Sequence, residues 1–571
     1  MNANSIPNAS LSPDFTIPLI ADIAYDPNAR LLGQTRTLDA FTLLTRTQGQ
    51  HMYLADQRSI DRQPLIAALV ASQPAPAKLF LNQIADAKKQ QLLWQSEPSN
   101  ACISETNETY QYLSGNIKRR ELIGHLSSDG KETYYGGALA NAHYLFICAE
   151  SLWKREPLWE LILGIANTGQ YTVHPKLPPI PLNCKIVLVG SSALYSVSYL
   201  EERSFSSAFP LLGELVDEIA LPEHTEQDYL EWLVALAKES HITLAQSALA
   251  PIFAFSSRLA DHQKHLSLMT DPMVQLLQQA SAYNGTNIID DSAIQYALTQ
   301  QTHRHNASQK LSAQSFDDNF INLPTQGTMI GQINGLTVLD AAEYCYGEPA
   351  RITASVHYGD GEVADIERKS ELGGNIHAKG LMILSSCLYR IFGKDAPLHL
   401  NANIVFEQSY QEIDGDSASL AEYCALMSAI AEQPIDQGIA ATGAIDQFGQ
   451  VQAIGGVNEK IEGFFDLCQR RGLTGSQGVI LPKSNVQQLN LKHEVLNAIS
   501  EKQFHLYQVE HIDEAVTILM KHPAGIADED GQFPDETLYG LVQARLEGLA
   551  GYPDDERSIF AKWLDKLKLS S

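Results

Sequence analysis

The sequence predicts a multidomain chain of α/β plus α+β class, and three observations carry that expectation. Up to about residue 225, short apolar runs alternate with helical patterns, as in a parallel sheet covered by helices. From 226 to 322 the apolar residues fall at i, i+3, i+4 spacing with few β-branched runs, the pattern of successive short helices. Beyond 323, β-forming stretches, turn residues and helices mix in the manner of an α+β domain. A length of 571 residues fits three or four such units at a prior of about 150 residues each.

Residues 1–28 are rich in Pro, Asn and Ser and read as a loose leader. Between 29 and 225 the strand candidates are residues 50–56, AKLFLNQI (77–84), AHYLFICA (142–149) and CKIVLVGSS (184–192). The region 226–322 offers four helices, at EQDYLEWLVALAKES, QSALAPIFAFSSRLADHQ, DPMVQLLQQASAYNG and IDDSAIQYALTQQ. In the third region, 323–522, LPTQGTMIGQINGLTVLD brings β-formers and ARITASVHYGDGEVADIER suggests a hairpin. A helix at AKGLMILSSCLYRIF and a strand at PLHLNANIVFE come next. A helix from about 417 to 432, a hairpin across IAATGAIDQFGQVQAIGG, a helix from about 457 to 471 and a strand at GVILP complete it. An acidic Gly- and Pro-bearing stretch then opens a C-terminal tail, 523–571, with two helical patterns.

Composition removes whole classes of function. Apolar residues are 44% and charged residues 19%, enough to build cores and unlike a disordered chain. Lys plus Arg number 40 against 67 Asp plus Glu, a formal charge of −27, which argues against nucleic acid or an anionic membrane as main partner. The start MNANSIPNASLSPDF lacks the basic and apolar regions of a secretory signal, and no run of 18 apolar residues suggests a membrane span. Seven cysteines without a CxxC pair read as reduced thiols of a cytoplasmic protein. His262/His265 and His303/His305 lack an HExxH pattern or a converging acid–cysteine set, so no metal is expected. GDGE (359–362) reads as a hairpin turn.

Two segments carry chemistry. In IDGDSASLAEYCALMSAIAEQPID (413–436), Leu420, Cys424, Met427 and Ile430–Ala431 share a helical face, which puts Ser417 at the helix start after a Gly415-Asp416 turn. A hydroxyl there stands beside free N–H groups and the positive end of the dipole, which favour a forming oxyanion. Ser417 or Asp416 capping the helix fits the same pattern. In GGVNEKIEGFFDLCQRRG (455–472), Ile461, Phe464, Phe465 and Cys468 form an apolar face, with Lys460 in the first turn. Burial and the dipole both push such an amine toward its neutral form, which can take a proton from a serine. Read alone, this segment favours a surface lysine at 460, beside Glu459 and Glu462.

Taken together the two segments resemble the proteolytic domain of the Lon protease family, above all its archaeal B-type branch. Phe406 to Tyr410 and Asp414 to Ser419 match the branch's FEQSY and DGDSAS stretches, Thr442-Gly443-Ala444-Ile445 its TGxI hairpin, and Gly455-Gly456 its glycine pair. GQINGLTVLD (331–340) and residues 365–388 are also similar, so the resemblance covers about 324–522. It implies an α+β Lon-type domain with Ser417 as nucleophile and Lys460 as base, 43 positions apart as in the family. It also implies Thr442 as the residue that orients the lysine amine. Asp416 would contribute to the oxyanion loop, or act as a regulatory carboxylate that pairs with Lys460 and holds it protonated.

The preceding half resembles the AAA+-type module of the same branch with altered nucleotide motifs. Where a P-loop should follow the first strand stand Ala55-Asp56-Gln57-Arg58-Ser59-Ile60-Asp61-Arg62-Gln63-Pro64, without its glycines and with Arg62 as nearest cation. A phosphate cradle needs glycines so that backbone N–H groups can wrap the oxygens. Cys148 and Ala149 fall where an Asp-Glu pair is expected, with Glu150 one place late, and a thiol suits magnesium poorly. Residues 185–202 resemble the downstream strand, and 256–268 the lid helix with Arg258. The reading is therefore a degenerate AAA+-like module with a helical lid in front of a Ser-Lys peptidase. No cofactor is required, and the altered loop (Ala55, Asp61, Arg62) argues against ATP binding and productive hydrolysis. Expected substrates are peptides or unfolded proteins, and the family implies a homo-oligomeric ring, a hexamer. The alternatives are a catalytically silent Lon-like adaptor or assembly protein, and an ATP-dependent protease with an atypical nucleotide site.

Overall fold

The computed structural model describes residues 4–86, 89–127, 133–341, 344–359, 363–366, 373–393, 398–409 and 414–550. The chain divides into two compact units. One comprises Phe15–Ala260 with Lys264–Leu298, the other Met1–Asp14, Asp261–Gln263 and Thr299–Ser571.

The first unit is built on a parallel sheet. Its elements are β1 (Met52–Asp56), α1 (Arg62–Ala71), β2 (Glu108–Leu113), β3 (Ala142–Cys148), β4 (Lys185–Ser191) and β5 (Leu211–Glu214). The strand order is β5-β1-β4-β3-β2, with every pairing parallel. The central strands alternate between two cores. Leu145, Ile147, Ile186 and Leu188 enter one, and Phe146, Val187 and Val189 the other. That is why they read as continuous apolar runs rather than alternating ones.

The run at 77–84 departs from expectation. Its strand, Phe80–Asp86, joins no parallel sheet but pairs antiparallel with Lys89–Gln95 and Cys102–Glu105. Only two residues separate it from its neighbour, and a connection that short can join antiparallel strands but not parallel ones.

Four helices complete this unit as the periodicity predicts. They are α2 (Glu226–Glu239), α3 (Leu249–Leu259), α4 (Thr270–Asn284) and α5 (Asp291–His305), packed around Tyr229, Trp232, Phe253, Leu277 and Ile294. The unit ends at Leu298, inside α5, rather than near 322. The next helix, α6 (Ala307–Asp317), belongs to the second unit, where its Phe316 packs with Leu323 and Leu467.

The leader is not loose. Phe15, Ile17, Ile20 and Ile23 pack against the four-helix core. Ile6 and Leu11 are buried in a core of the second unit, and the Ile6 N–H donates to Leu506 O at 3.1 Å. Apolar residues scattered among the prolines find separate docking grooves, which composition alone conceals.

In the second unit the elements begin with β6 (Gln332–Ala341), β7 (Tyr344–Tyr358), β8 (Val363–Asp365), α7 (Asn375–Phe392) and β9 (Leu400–Glu407). Next come α8 (Ser419–Ala431), β10 (Ile439–Ala441), β11 (Ala444–Ile445), β12 (Val451–Gln452) and α9 (Val457–Arg471). Then β13 (Gln477–Pro482), β14 (Phe504–Val509), α10 (Ile512–Met520) and α11 (Leu538–Ala550) close the described chain. Seven strands form one mixed sheet in the order β8-β9-β7-β6-β10-β13-β14.

β7 is antiparallel to both of its neighbours, β6 and β9, whereas β6, β10, β13 and β14 run parallel, as do β8 and β9. The stretch 350–368 is therefore not a hairpin. Its second strand pairs with β9, not β7, and residues 360–362 of the GDGE motif lie outside the described residues. The hairpin predicted over 439–456 forms between β11 and β12. The second helical pattern of the tail also lies outside the described residues.

Helix α8 corrects another expectation. Every residue from Ser419 to Ala431 is buried, so it is a central helix packed on all sides rather than an amphipathic one.

Candidate active site

Three segments distant in sequence meet at one point of the second unit: the turn before α8, the end of β10 and the first turn of α9. Thr442 directly follows β10, and its N–H donates to Ile480 O at 3.0 Å, continuing the pairing with β13. The Thr442 hydroxyl and the Gly443 N–H both donate to Ser417 O, at 3.1 and 2.8 Å, and the Leu420 N–H donates to Gly443 O at 3.1 Å. These bonds stitch the Ser417 turn onto the strand end.

Lys460 arrives from the other side. Gly456, at φ 65°, opens α9 in the left-handed region that glycine tolerates, and the Lys460 N–H donates to its carbonyl at 3.0 Å. The helix then lies directly on β7, backbone against backbone. A Cβ added at Gly347 would sit 1.9 Å from Glu459 O, and one at Gly463 would sit 2.1 Å from Gly347 O. Only glycine fits at both places, and this close approach seals the lysine stem.

The geometry is that of a hydrogen-bonded pair with an orienting hydroxyl. Lys460 Nζ lies 2.8 Å from Ser417 Oγ and 3.3 Å from Thr442 Oγ1. Lys460 is 3% exposed. Burial lowers its pKa from 10.5 to about 8, against an opposing pull from the Asp416 charge. The sealed stem explains the shift: desolvation disfavours the charged amine more than the nearby carboxylate favours it.

The serine turn differs in two details from the sequence reading. Helix α8 starts at Ser419, and neither Ser417 nor Asp416 caps it through a side chain. The Ser419 N–H and Oγ both bond to Asp416 O, at 3.1 and 2.8 Å, so the first helical donors are occupied. Among the described residues, the N–H groups of Ser417 and Ala418 carry no hydrogen bond. They replace the helix's first turn as the donors available to an oxyanion. Asp416 itself is exposed, and among the described residues no ion pair joins it to Lys460. Its influence on the amine is through-space attraction, not the direct pairing expected.

Two contributions escaped the sequence. Asp414 accepts the N–H groups of Ile376 at 3.1 Å and His377 at 3.4 Å, capping α7 while also bonding the Gly415 N–H at 3.0 Å. It anchors the serine loop to a helix that begins 39 residues earlier, a distance over which no capping motif can be read. Behind it His377 Nε2 and Glu422 Oε1, both buried, lie 3.8 Å apart. A cavity of about 500 Å³ opens onto Ser417, with Asp414 and Gly415 at its edge and Leu336, Val338 and Phe406 in its walls.

The altered nucleotide loop of the first unit has its own order. Its residues gather at the carboxyl ends of β1, β3 and β4, where open parallel sheets take ligands. Arg62 Nε donates to Asp56 Oδ2 at 2.6 Å, and its Nη1 donates to the Tyr112 hydroxyl at 3.1 Å and to Cys148 Sγ at 3.3 Å. Its Nη2 lies 3.6 Å from Glu150 Oε2. Glu150 in turn accepts the Ser191 N–H at 2.8 Å.

Burial pushes the Glu150 carboxyl up, but its hydrogen bonds and Arg62 outweigh it and leave it below the usual range. For Asp56 burial wins and the pKa is raised despite Arg62. Asp61 caps α1 by accepting the Gln63 N–H at 3.1 Å, so a carboxylate already sits at that helix N-terminus. Ala55 is a paired residue within β1, facing Gly190 and Glu214 in register.

A lysine and a serine joined on an α+β fold, behind an AAA-like module with a helical lid, define the class, and comparisons with known proteins agree. Residues 394–522 match the Lon protease (S16) C-terminal proteolytic domain. Residues 243–304 match the AAA+ ATPase lid domain of archaeal LonB, and 99–215 a LonB-like AAA domain. Two proteins named "Putative Lon protease homolog" are similar over most of the chain. The one from Haemophilus influenzae (strain ATCC 51907 / DSM 11121 / KW20 / Rd) is 38% identical over 434 residues, 74% of this chain and 71% of that protein. The one from Escherichia coli (strain K12) is 34% identical over 450 residues, 75% of each. An archaeal Lon protease from Archaeoglobus fulgidus is 26% identical over 272 residues, 47% of this chain and 41% of that protein.

The chain belongs to the Lon protease family. Among the described residues, no helix is long and apolar enough to cross a membrane.

Proposed function

We propose that the chain is a cytoplasmic serine endopeptidase that hydrolyses peptides or unfolded proteins with a Ser417–Lys460 dyad. The observation that carries this reading is the 2.8 Å contact between Lys460 Nζ and Ser417 Oγ, made by an amine whose pKa is lowered to about 8. Neutral Lys460 takes the hydroxyl proton as Ser417 Oγ attacks the scissile carbonyl. Thr442 Oγ1 holds the amine in line, and the Ser417 and Ala418 N–H groups receive the oxyanion. Lys460 then gives its proton to the leaving amine, and water releases the acyl group by the same relay.

The Arg62 network supports a module that does not hydrolyse ATP. Its guanidinium neutralises the carboxylates at the strand ends, where magnesium and phosphates would otherwise be held, and no glycine loop wraps a triphosphate. Chains already unfolded are therefore the substrates, and the family favours a closed homo-oligomeric ring, a hexamer.

The test is cleavage of unfolded casein and of fluorogenic peptides by the wild type and Ser417→Ala. It is paired with a serine-reactive covalent probe and peptide mapping. Ser417-dependent cleavage with label on Ser417 is expected; equal background in both proteins and no label would sink the assignment and favour a silent adaptor.

A further inference from the structure

The cavity at Ser417 adjoins a second one. A chamber of about 290 Å³ lies between α6, β7 and α9, and it shares Ser312, Phe316, Tyr346, Glu348 and Pro349 with the 500 Å³ cavity that reaches the serine. The two adjoin through these shared residues, which puts a chamber walled by Tyr344, Tyr346 and Phe316 next to the cavity of the nucleophile. Such aromatic faces suit the stem of a long side chain and a cation at its end.

Glu348 stands at the junction and borders both spaces. One of its carboxylate oxygens accepts the Ser312 hydroxyl, and among the described residues no cation lies within ion-pair distance of it. The neighbouring charges are otherwise engaged. Arg470 Nε donates to both carboxylate oxygens of Asp317, at 3.0 and 3.1 Å, and Lys492 lies 3.5 Å from Glu462. Lys310 Nζ is 3.4 Å from His303 Nδ1. Asp466, also on the wall, adds a second carboxyl, and Arg351, on the serine side, faces Glu407 at 3.8 Å.

Burial raises the pKa of Glu348, with only the Ser312 hydrogen bond opposing it. A half-buried carboxylate without a counter-ion is the partner that an incoming cation relieves.

We propose that this chamber is a specificity subsite in which Glu348 receives a lysine or arginine side chain of an extended peptide lying across Ser417. The inference rests on the peptidase reading and names the substrate feature it selects. The charge-assisted hydrogen bond replaces water on both partners and is lost when either is neutralised.

The experiment uses full-length protein and a set of fluorogenic peptides that differ only by lysine, norleucine or glutamate at each position flanking the scissile bond. At one position the lysine peptide is expected to exceed the norleucine peptide in kcat/KM by roughly 10- to 100-fold, the range of a hydrogen bond to a charged group. Glu348→Gln brings that ratio close to one, and Glu348→Lys moves the preference to the glutamate peptide. Equal cleavage of lysine and norleucine peptides at every position, or a lysine preference that survives in Glu348→Gln, overturns the proposal. A uniform loss for all peptides with the ratio kept does the same.

A binding arm separates this outcome from failure of the peptidase reading. Fluorescence anisotropy with Ser417→Ala protein must show the same lysine-over-norleucine preference, removed by adding Glu348→Gln, whether or not the wild type cleaves.

Discussion

Raising the pH from 7 to 9 tests the central amine directly. With Lys460 at about 8, the neutral share of the amine is about one in eleven at pH 7 and about ten in eleven at pH 9. Because kcat/KM follows the free enzyme's titration, it should rise about tenfold over that span and then level off. A lysine left at its ordinary value of about 10.4 would give about a hundredfold rise with no plateau. The assay is initial-rate cleavage of one fluorogenic peptide from pH 6.5 to 10, with protein integrity checked at each pH. A flat profile, or one still climbing tenfold per unit beyond pH 9.5, would refute the account of a desolvated base.

The same shift enters stability with a definite sign. Between about 8 and 10.5 the unfolded lysine holds a proton that the folded one has lost, so the unfolded state binds more protons and stability rises with pH. Below about 8 the folded protein bears the full penalty of burying the ammonium, about 3 kcal/mol for a shift of this size. Lys460→Met should therefore raise the unfolding free energy from urea denaturation at pH 7 by up to that amount, and the gain should vanish near pH 10.5.

Asp416 pulls the Lys460 pKa upward, so Asp416→Asn should move the alkaline limb of the pH–rate profile to lower pH; an unmoved limb would remove Asp416 from the regulation of the base. Gly347→Ala puts a methyl 1.9 Å from Glu459 O and should cost about 1–3 kcal/mol in chemical denaturation. It should also lower peptidase activity more than Gly548→Ala, within α11, where an added Cβ meets nothing within 4 Å. Arg62→Met strips the counter-ion from Asp56 and Glu150 and should destabilise the first unit by about 3 kcal/mol, read as an earlier denaturation transition. It should bring no nucleotide binding in calorimetry.

Much of the site could be read from residue spacing. A helix start marks Ser417 and a first-turn position marks Lys460, Thr442 follows only from the resemblance to the Lon family, and all three converge within hydrogen-bond reach. What spacing could not show was the depth at which they sit. Residues 419–431 have one conspicuous apolar face, yet Glu422, on another, is equally buried, because burial of α8 depends on α7, α10 and α11 arriving from far along the chain. Ile6 gave no periodic signal, since a single residue beside a partner strand needs none. The run at 77–84 looked like its parallel counterparts because apolarity records burial, not the direction of the neighbour. Asp414 was invisible as a cap because its helix lies upstream and meets it only in three dimensions.

Arg62, bridging the ends of three strands, has a wider implication. A counter-ion on a side chain is held at a fixed, very high local concentration and never diffuses away. Under the proposed reading, a site charged in this manner has no empty and loaded forms to alternate between, and fluctuations in the energy state of the cell would leave its shape untouched.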